Sequence, residues 1–300
     1  MQKTTLVLLL LVVIPAVFIA GCTQQQQVQA TPQPTAVQPA DTIRMAGTTL
    51  GTILVDAQGK TLYYFAKDLP AGSASSCSGQ CAATWPAFSV DTITVSPPLS
   101  AADFSSITRA DGKKQTTYRG WPLYSYQADT KAGDVNGENV NKVWFVVKPD
   151  ETIMVASQES PGSFLTDRTG KTLYFFTKDT AGTSTCPGTC LAKWPAFSAD
   201  PVSAPSVLKP ADFSSIPRAD GVKQTAFKGR PLYNFADDAK PGDVKGEGFN
   251  NVWHVANVSG ITPVVTTQPT TVPTTVRTTV PTTVRTTSPS SGGYGGGGGY

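Results

Sequence analysis

Beyond residue 42 the apolar positions fall in short runs of two-residue period, broken by glycine, proline and polar turns. Leu50-Gly51-Thr52-Ile53-Leu54-Val55-Asp56 leads through Ala57-Gln58-Gly59-Lys60 into Thr61-Leu62-Tyr63-Tyr64-Phe65, two β-rich runs about a glycine turn, and the same hairpin signature returns at 163–176. Residues 114–118 and 122–126, with a turn at Arg119-Gly120, predict a second hairpin, and KVWFVV at 142–147 predicts a closing strand. No stretch of this body sustains a helical period over three turns. Frequent glycine and proline fit many short strands with tight turns.

The pattern is also duplicated. KTLYYFAKD at 60–68 recurs as KTLYFFTKD at 171–179, and Trp85, Ala102, Arg109 and Gly133 open segments that recur at Trp194, Ala211, Arg218 and Gly242. Within each copy a weaker repeat is visible, a frame of Tyr, any residue, aromatic, two residues, Asp. It occurs at Tyr63, Phe65 and Asp68, at Tyr124, Tyr126 and Asp129, at Tyr174, Phe176 and Asp179, and at Tyr233, Phe235 and Asp238. Residues two apart on a strand share a face, so each Tyr and its aromatic partner point to one side of a sheet. The expected fold is all-β: a tandem duplication of a unit of roughly 110 residues, built of short antiparallel strands and hairpins as four quasi-repeats. The choice between a propeller-like and a sandwich arrangement stays open.

The ends set the compartment. Lys3 precedes an apolar run at 6–20, shorter than the roughly 20 residues that span a bilayer as a helix, and Gly21-Cys22 follows it. Ile19-Ala20-Gly21-Cys22 looks like a lipobox, in which the Cys22 thiol takes a diacylglycerol and becomes the first residue of the mature chain. The expected division is a lipoprotein signal peptide at 1–21, a flexible tether at 22–42, copy 1 at 43–148, copy 2 at 149–258, and a Thr/Pro-rich stalk with a Gly-rich tail at 259–300. Uncharged Gln/Pro/Thr composition before the body and the repeated TTVPTTVR after it cannot bury enough surface to fold, which predicts disordered termini.

The tandem frame, the Cys-x-x-x-Cys before Trp-Pro, and the Gly-Asp-Val loop before Val-Trp together resemble a family of secreted lipoprotein repeats of bacteria and archaea without an established function. The resemblance covers both copies and implies an exported, often lipidated repeat protein, with no catalytic residue to carry over. Lys245 and Gly248 stand where the first Gly-Asp loop has Asn136 and Asn139, so a ligand common to both loops is not implied.

Candidate chemistry is sparse. Cys77, Cys81, Cys186 and Cys190 form an even set in an exported chain and are read as a disulfide within each copy. The competing reading makes the pairs an extracellular redox or metal-binding site. The four recurrent aspartates read first as caps of the turns that follow their strands, and calcium at residues 133–138 is disfavoured because Lys245 enters the matching loop. An extracellular hydrolase would need two close carboxylates. The single histidine, His254, matches Phe145 and reads as a sheet residue. Among the tryptophans only Trp121 lacks a counterpart, Arg230 standing in its place, so it is the candidate surface contact.

Net charge of +3 with 15% charged residues gives no sign of nucleic acid as a partner. Expected partners are membrane lipid through Cys22 and an envelope glycan or surface protein. No catalytic residue, metal or cofactor is assigned. The functional expectation is a non-enzymatic binding or display module, membrane-anchored on the extracytoplasmic face at the cell surface.

Overall fold

The computed structural model describes residues 40–70 and 75–259; the signal peptide, Cys22, most of the tether and all but the first residue of the stalk and tail lie outside them. In chain order the elements of copy 1 are β1 (Ile43–Thr48), β2 (Gly51–Asp56), β3 (Tyr63–Phe65), α1 (Gln80–Thr84), β4 (Phe104–Thr108), β5 (Lys114–Tyr118), β6 (Trp121–Tyr124) and β7 (Trp144–Val146). Copy 2 follows with β8 (Ile153–Ser157), β9 (Ser163–Asp167), β10 (Tyr174–Phe176), α2 (Gly188–Lys193), β11 (Phe213–Pro217), β12 (Lys223–Phe227), β13 (Arg230–Pro231) and β14 (Trp253–Val255). Among the described residues the strands make five small antiparallel sheets and no closed barrel.

Each copy is a pair of half-repeats. A half opens with a hairpin, β1–β2 or β4–β5, and continues into the strand that carries the Tyr frame. The frame strands β3 and β6 then pair with each other antiparallel, Tyr63 opposite Tyr124, so a pseudo-two-fold axis passes between the two tyrosines. Strand β7 flanks β3 through Tyr63 opposite Val146, while Ala87 bridges Tyr124 on the far side. Copy 2 reproduces this with Tyr174 bridging Tyr233, β14 beside β10, and Ala196 against Tyr233.

One expected pairing is corrected. The turn at 56–60 forms, with Asp56 Oδ1 accepting from the amides of Gln58 and Lys60, and Val55 bridges Thr61. Beyond that bridge β2 pairs along its length with β1, and β3 pairs with β6 and β7. The reason is burial: all three β3 residues are buried, a pattern that needs neighbours on both edges of the strand, which one hairpin partner cannot supply. The only α-helices among the described residues, α1 and α2, are the short segments that carry Cys81 and Cys190.

A single apolar cluster runs through both copies, from Ile43, Leu54 and Tyr64 to Phe164, Tyr174 and Trp253. The hairpin β8–β9 lies across copy 1, where Ser157 N donates to Ala66 O at 2.7 Å and Val155 N to the Tyr64 hydroxyl at 3.3 Å. Tyr63 and Phe65 leave the opposite side of β3 for a second cluster with Trp85, Tyr124 and Trp144, as their two-residue spacing requires.

Candidate functional site

The frame residues are the most repeated polar chemistry in the chain, and the fold brings them together across the pseudo-two-fold axis. The Tyr63 hydroxyl donates to Asp129 Oδ2 at 2.7 Å, and the Tyr124 hydroxyl donates to Asp68 Oδ2. In copy 2 Tyr174 donates to Asp238 and Tyr233 to Asp179, each at 2.7 Å. The tyrosine of each frame therefore bonds the aspartate of the other frame in its copy. The second carboxylate oxygen holds a loop: Oδ1 of Asp68, Asp129, Asp179 and Asp238 accepts the amide of Ser76, Asn136, Thr185 and Lys245 respectively.

Burial governs the titration of both partners. Burial pushes the hydroxyls of Tyr63, Tyr124, Tyr174 and Tyr233 well above the usual tyrosine range, so they stay neutral donors at physiological pH. Burial also raises the four aspartates, and hydrogen bonds from Ser76, Tyr63, Thr185 and Tyr174 oppose it at Asp68, Asp129, Asp179 and Asp238 in turn.

Beside each brace stands a stack of four rings. Phe65 lies 4.2 Å from Trp144, Trp144 lies 3.9 Å from Trp85 with planes 2° apart, and Trp85 lies 4.0 Å from Tyr126. Copy 2 repeats the order Phe176, Trp253, Trp194, Phe235 at 4.3, 3.8 and 4.2 Å. Each offset or parallel pair adds about 0.5–1.5 kcal/mol beyond its area. The stack leaves no room at Gly137, where a Cβ would come within 2.7 Å of the Trp85 ring, or at Gly246, where one would meet Trp194 at 2.8 Å.

Cys77–Cys81 and Cys186–Cys190 are disulfides, their Cα atoms 5.3 and 5.4 Å apart. Each bridge ties the segment before a short helix to a cysteine inside it, whose carbonyl receives the tryptophan amide, Trp85 N to Cys81 O at 2.8 Å and Trp194 N to Cys190 O at 2.9 Å. The staple thus fixes the backbone that enters the ring stack.

A buried arginine completes the arrangement, and sequence reading missed it. Arg109 donates to Ser75, to Gln115 Oε1 at 2.7 Å and to Cys77 O at 2.6 Å. Arg218 repeats the set with Ser184, Gln224 and Cys186. The signal was present: both RADG segments are followed by Gln at the same distance, Gln115 and Gln224.

The loop at 133–138 spends carboxylate oxygens on backbone amides. Asp134 Oδ2 accepts the amides of Thr130 and Lys131, and Glu138 Oε2 accepts Val146 N at 2.7 Å. His254 lies in β14 with Nδ1 2.9 Å from Glu247 Oε1. Trp121 is a correction: expected at the surface, it is 1% exposed. It packs on Tyr64 at 5.0 Å and its Nε1 donates to Arg168 O at 3.4 Å, covered by the beginning of copy 2. Its lack of a counterpart follows, because only copy 1 has a copy after it to cover that face. The open surface nearest the stacked rings is a groove of about 540 Å³ bordered by Phe65, Lys67, Trp85, Asn141 and Trp144.

A family described as a secreted repeat of unknown function matches four segments, 45–89, 105–148, 155–198 and 214–257, together more than half the chain. Each segment contains one Tyr frame and one stacked tryptophan. No curated protein and no solved structure matches the chain.

Proposed function

The chain belongs to that family of secreted repeats of unknown function, and from this premise we propose that it is a lipid-anchored surface protein whose folded body is a non-enzymatic binding or display module. The carrying observation is how the recurrent reactive groups are used. Four aspartates and four tyrosines are spent on each other and on loop amides, and four cysteines on two bridges. Chemistry repeated to hold a scaffold leaves the outer surface free to serve as the product.

The lipobox at Ile19-Ala20-Gly21-Cys22 supports the anchor, and the uncharged stretch after it supports a tether that lifts the body from a membrane. A Thr/Pro-rich stretch after the body, with Arg277 and Arg285 as its charges, supports display at an envelope surface. The partner is an envelope glycan or another surface protein, and the groove beside Trp85 and Trp144 is its place of contact in copy 1.

The test is intact mass and partition of the native chain. An anchored protein begins at Cys22, carries the added mass of a lipid there, and follows the membrane fraction, and Cys22→Ala releases it to the medium. A native chain that lacks the lipid mass and partitions to the medium without the substitution contradicts the anchor.

A further inference from the structure

The two surfaces that meet between the copies occur once more each, at the ends of the body. At the junction, β8–β9 covers a face of copy 1 made by Tyr64, Trp121 and Phe145, all 1% exposed or less, and brings Met154 to the same small cavity as Trp121. Strand register equates Ile43 with Ile153, since these pair with Asp56 and Asp167, and so equates Arg44 with Met154. In copy 2 the face equivalent to Tyr64, Trp121 and Phe145 is Phe175, Arg230 and His254.

The end faces keep the geometry of the junction and change its chemistry. The Arg230 guanidinium lies 5.4 Å over the Phe175 ring, as Trp121 lies 5.0 Å from Tyr64. His254 lies 5.8 Å from Phe175, as Phe145 lies 5.5 Å from Tyr64. Phe175, Arg230 and His254 are all partly exposed, and Arg44 is exposed on β1. A repeat that stacks on its neighbour through unlike faces adds further copies without limit unless its ends are altered.

We propose that Arg44 at one end and Arg230 with His254 at the other are caps, which stop a second copy of this chain from adding end to end through the surfaces that join the two copies inside it. Docking in the internal geometry would carry Arg44 of one chain to the place of Met154 and set it against Arg230 of the next. Two guanidinium groups would lose water where an apolar pair now packs; of the carboxylates at that face, Asp41 precedes β1 as Glu151 precedes β8, and Glu247 is already engaged by His254 Nδ1 and Val255 N. The device holds the protein at two copies per body and keeps both end faces in solvent.

The experiment uses the full chain in detergent, so that an acyl group at Cys22 is masked, and reads mass by sedimentation. Arg44→Met uncaps one end, and Arg230→Trp with His254→Phe uncaps the other; Arg230→Met serves as the second variant if the larger side chains prevent folding, judged by circular dichroism. The wild type is expected to remain a monomer, an equimolar mixture of the two one-ended variants to form a species of twice the mass, and the chain uncapped at both ends to form longer oligomers. End-to-end assembly of the wild type overturns the proposal. So does a mixture of folded one-ended variants that stays monomeric.

Discussion

Among the described residues, Glu151 is the buried carboxylate whose two oxygens accept no hydrogen bond, with Lys148 Nζ 4.0 Å from one of them. Burial holds its carboxyl well above the usual range, and Lys148 only partly offsets that. The folded state therefore binds a proton more tightly than the unfolded state does. Its contribution to stability is present below about pH 4.3, the unfolded value, and is lost as pH rises through the folded one. Replacing Glu151 with Gln removes the loss: the variant should gain on the wild type in melting temperature as pH is raised from 4 to 8, and parallel curves for the two would contradict this. At this scale the sequence was partly legible. The turn-capping use of Asp68 and Asp129 could be read from their place after a strand, because the amides that they hold are close in the chain. Their tyrosine partners could not, since Tyr124 and Tyr63 come from the other half-repeat. Trp121 was misread for a related reason: a missing counterpart marks a place in the array and not exposure.

At the scale of elements, strands were legible from alternation and frame spacing, while their pairing was not. The runs that became β2 and β3 adjoin a turn, yet β3 found its partners in β6 and β7, because a strand buried on both faces takes a place inside a sheet, with a neighbour on each edge. What joins the half-repeats is the crossed Tyr–Asp pair, and its worth is measurable. Tyr63→Phe leaves the buried Asp129 carboxylate one donor short and should cost about 1–3 kcal/mol. Asp129→Asn should cost a similar amount, and the double variant less than the sum, because both remove the same bond. Denaturant unfolding of the four proteins reads the coupling, and simple additivity would show that the hydroxyl and carboxylate do not brace each other. The matching cycle at Tyr174 and Asp238 should give the same sign, since the bond lengths are equal.

At the scale of the whole molecule, duplication, export and a four-fold repeat could all be read from the chain, and the match of the secreted-repeat family to four segments agrees with the repeat number and with export. The body's length allowed one core or two and its reading as one domain agrees with the shared cluster, but the residues that join the copies could not be read, because each copy carries its own disulfide and its own aromatic stack. The junction built from Tyr64, Trp121 and the β8–β9 hairpin makes the body one unit, a scaffold whose repeated chemistry is turned inward. Calorimetric unfolding of the full chain with its disulfides intact tests this most directly. A single transition whose calorimetric and van't Hoff enthalpies stand in a ratio of about one is the result predicted for one cooperative body, and two transitions, or a ratio of about two, would contradict it.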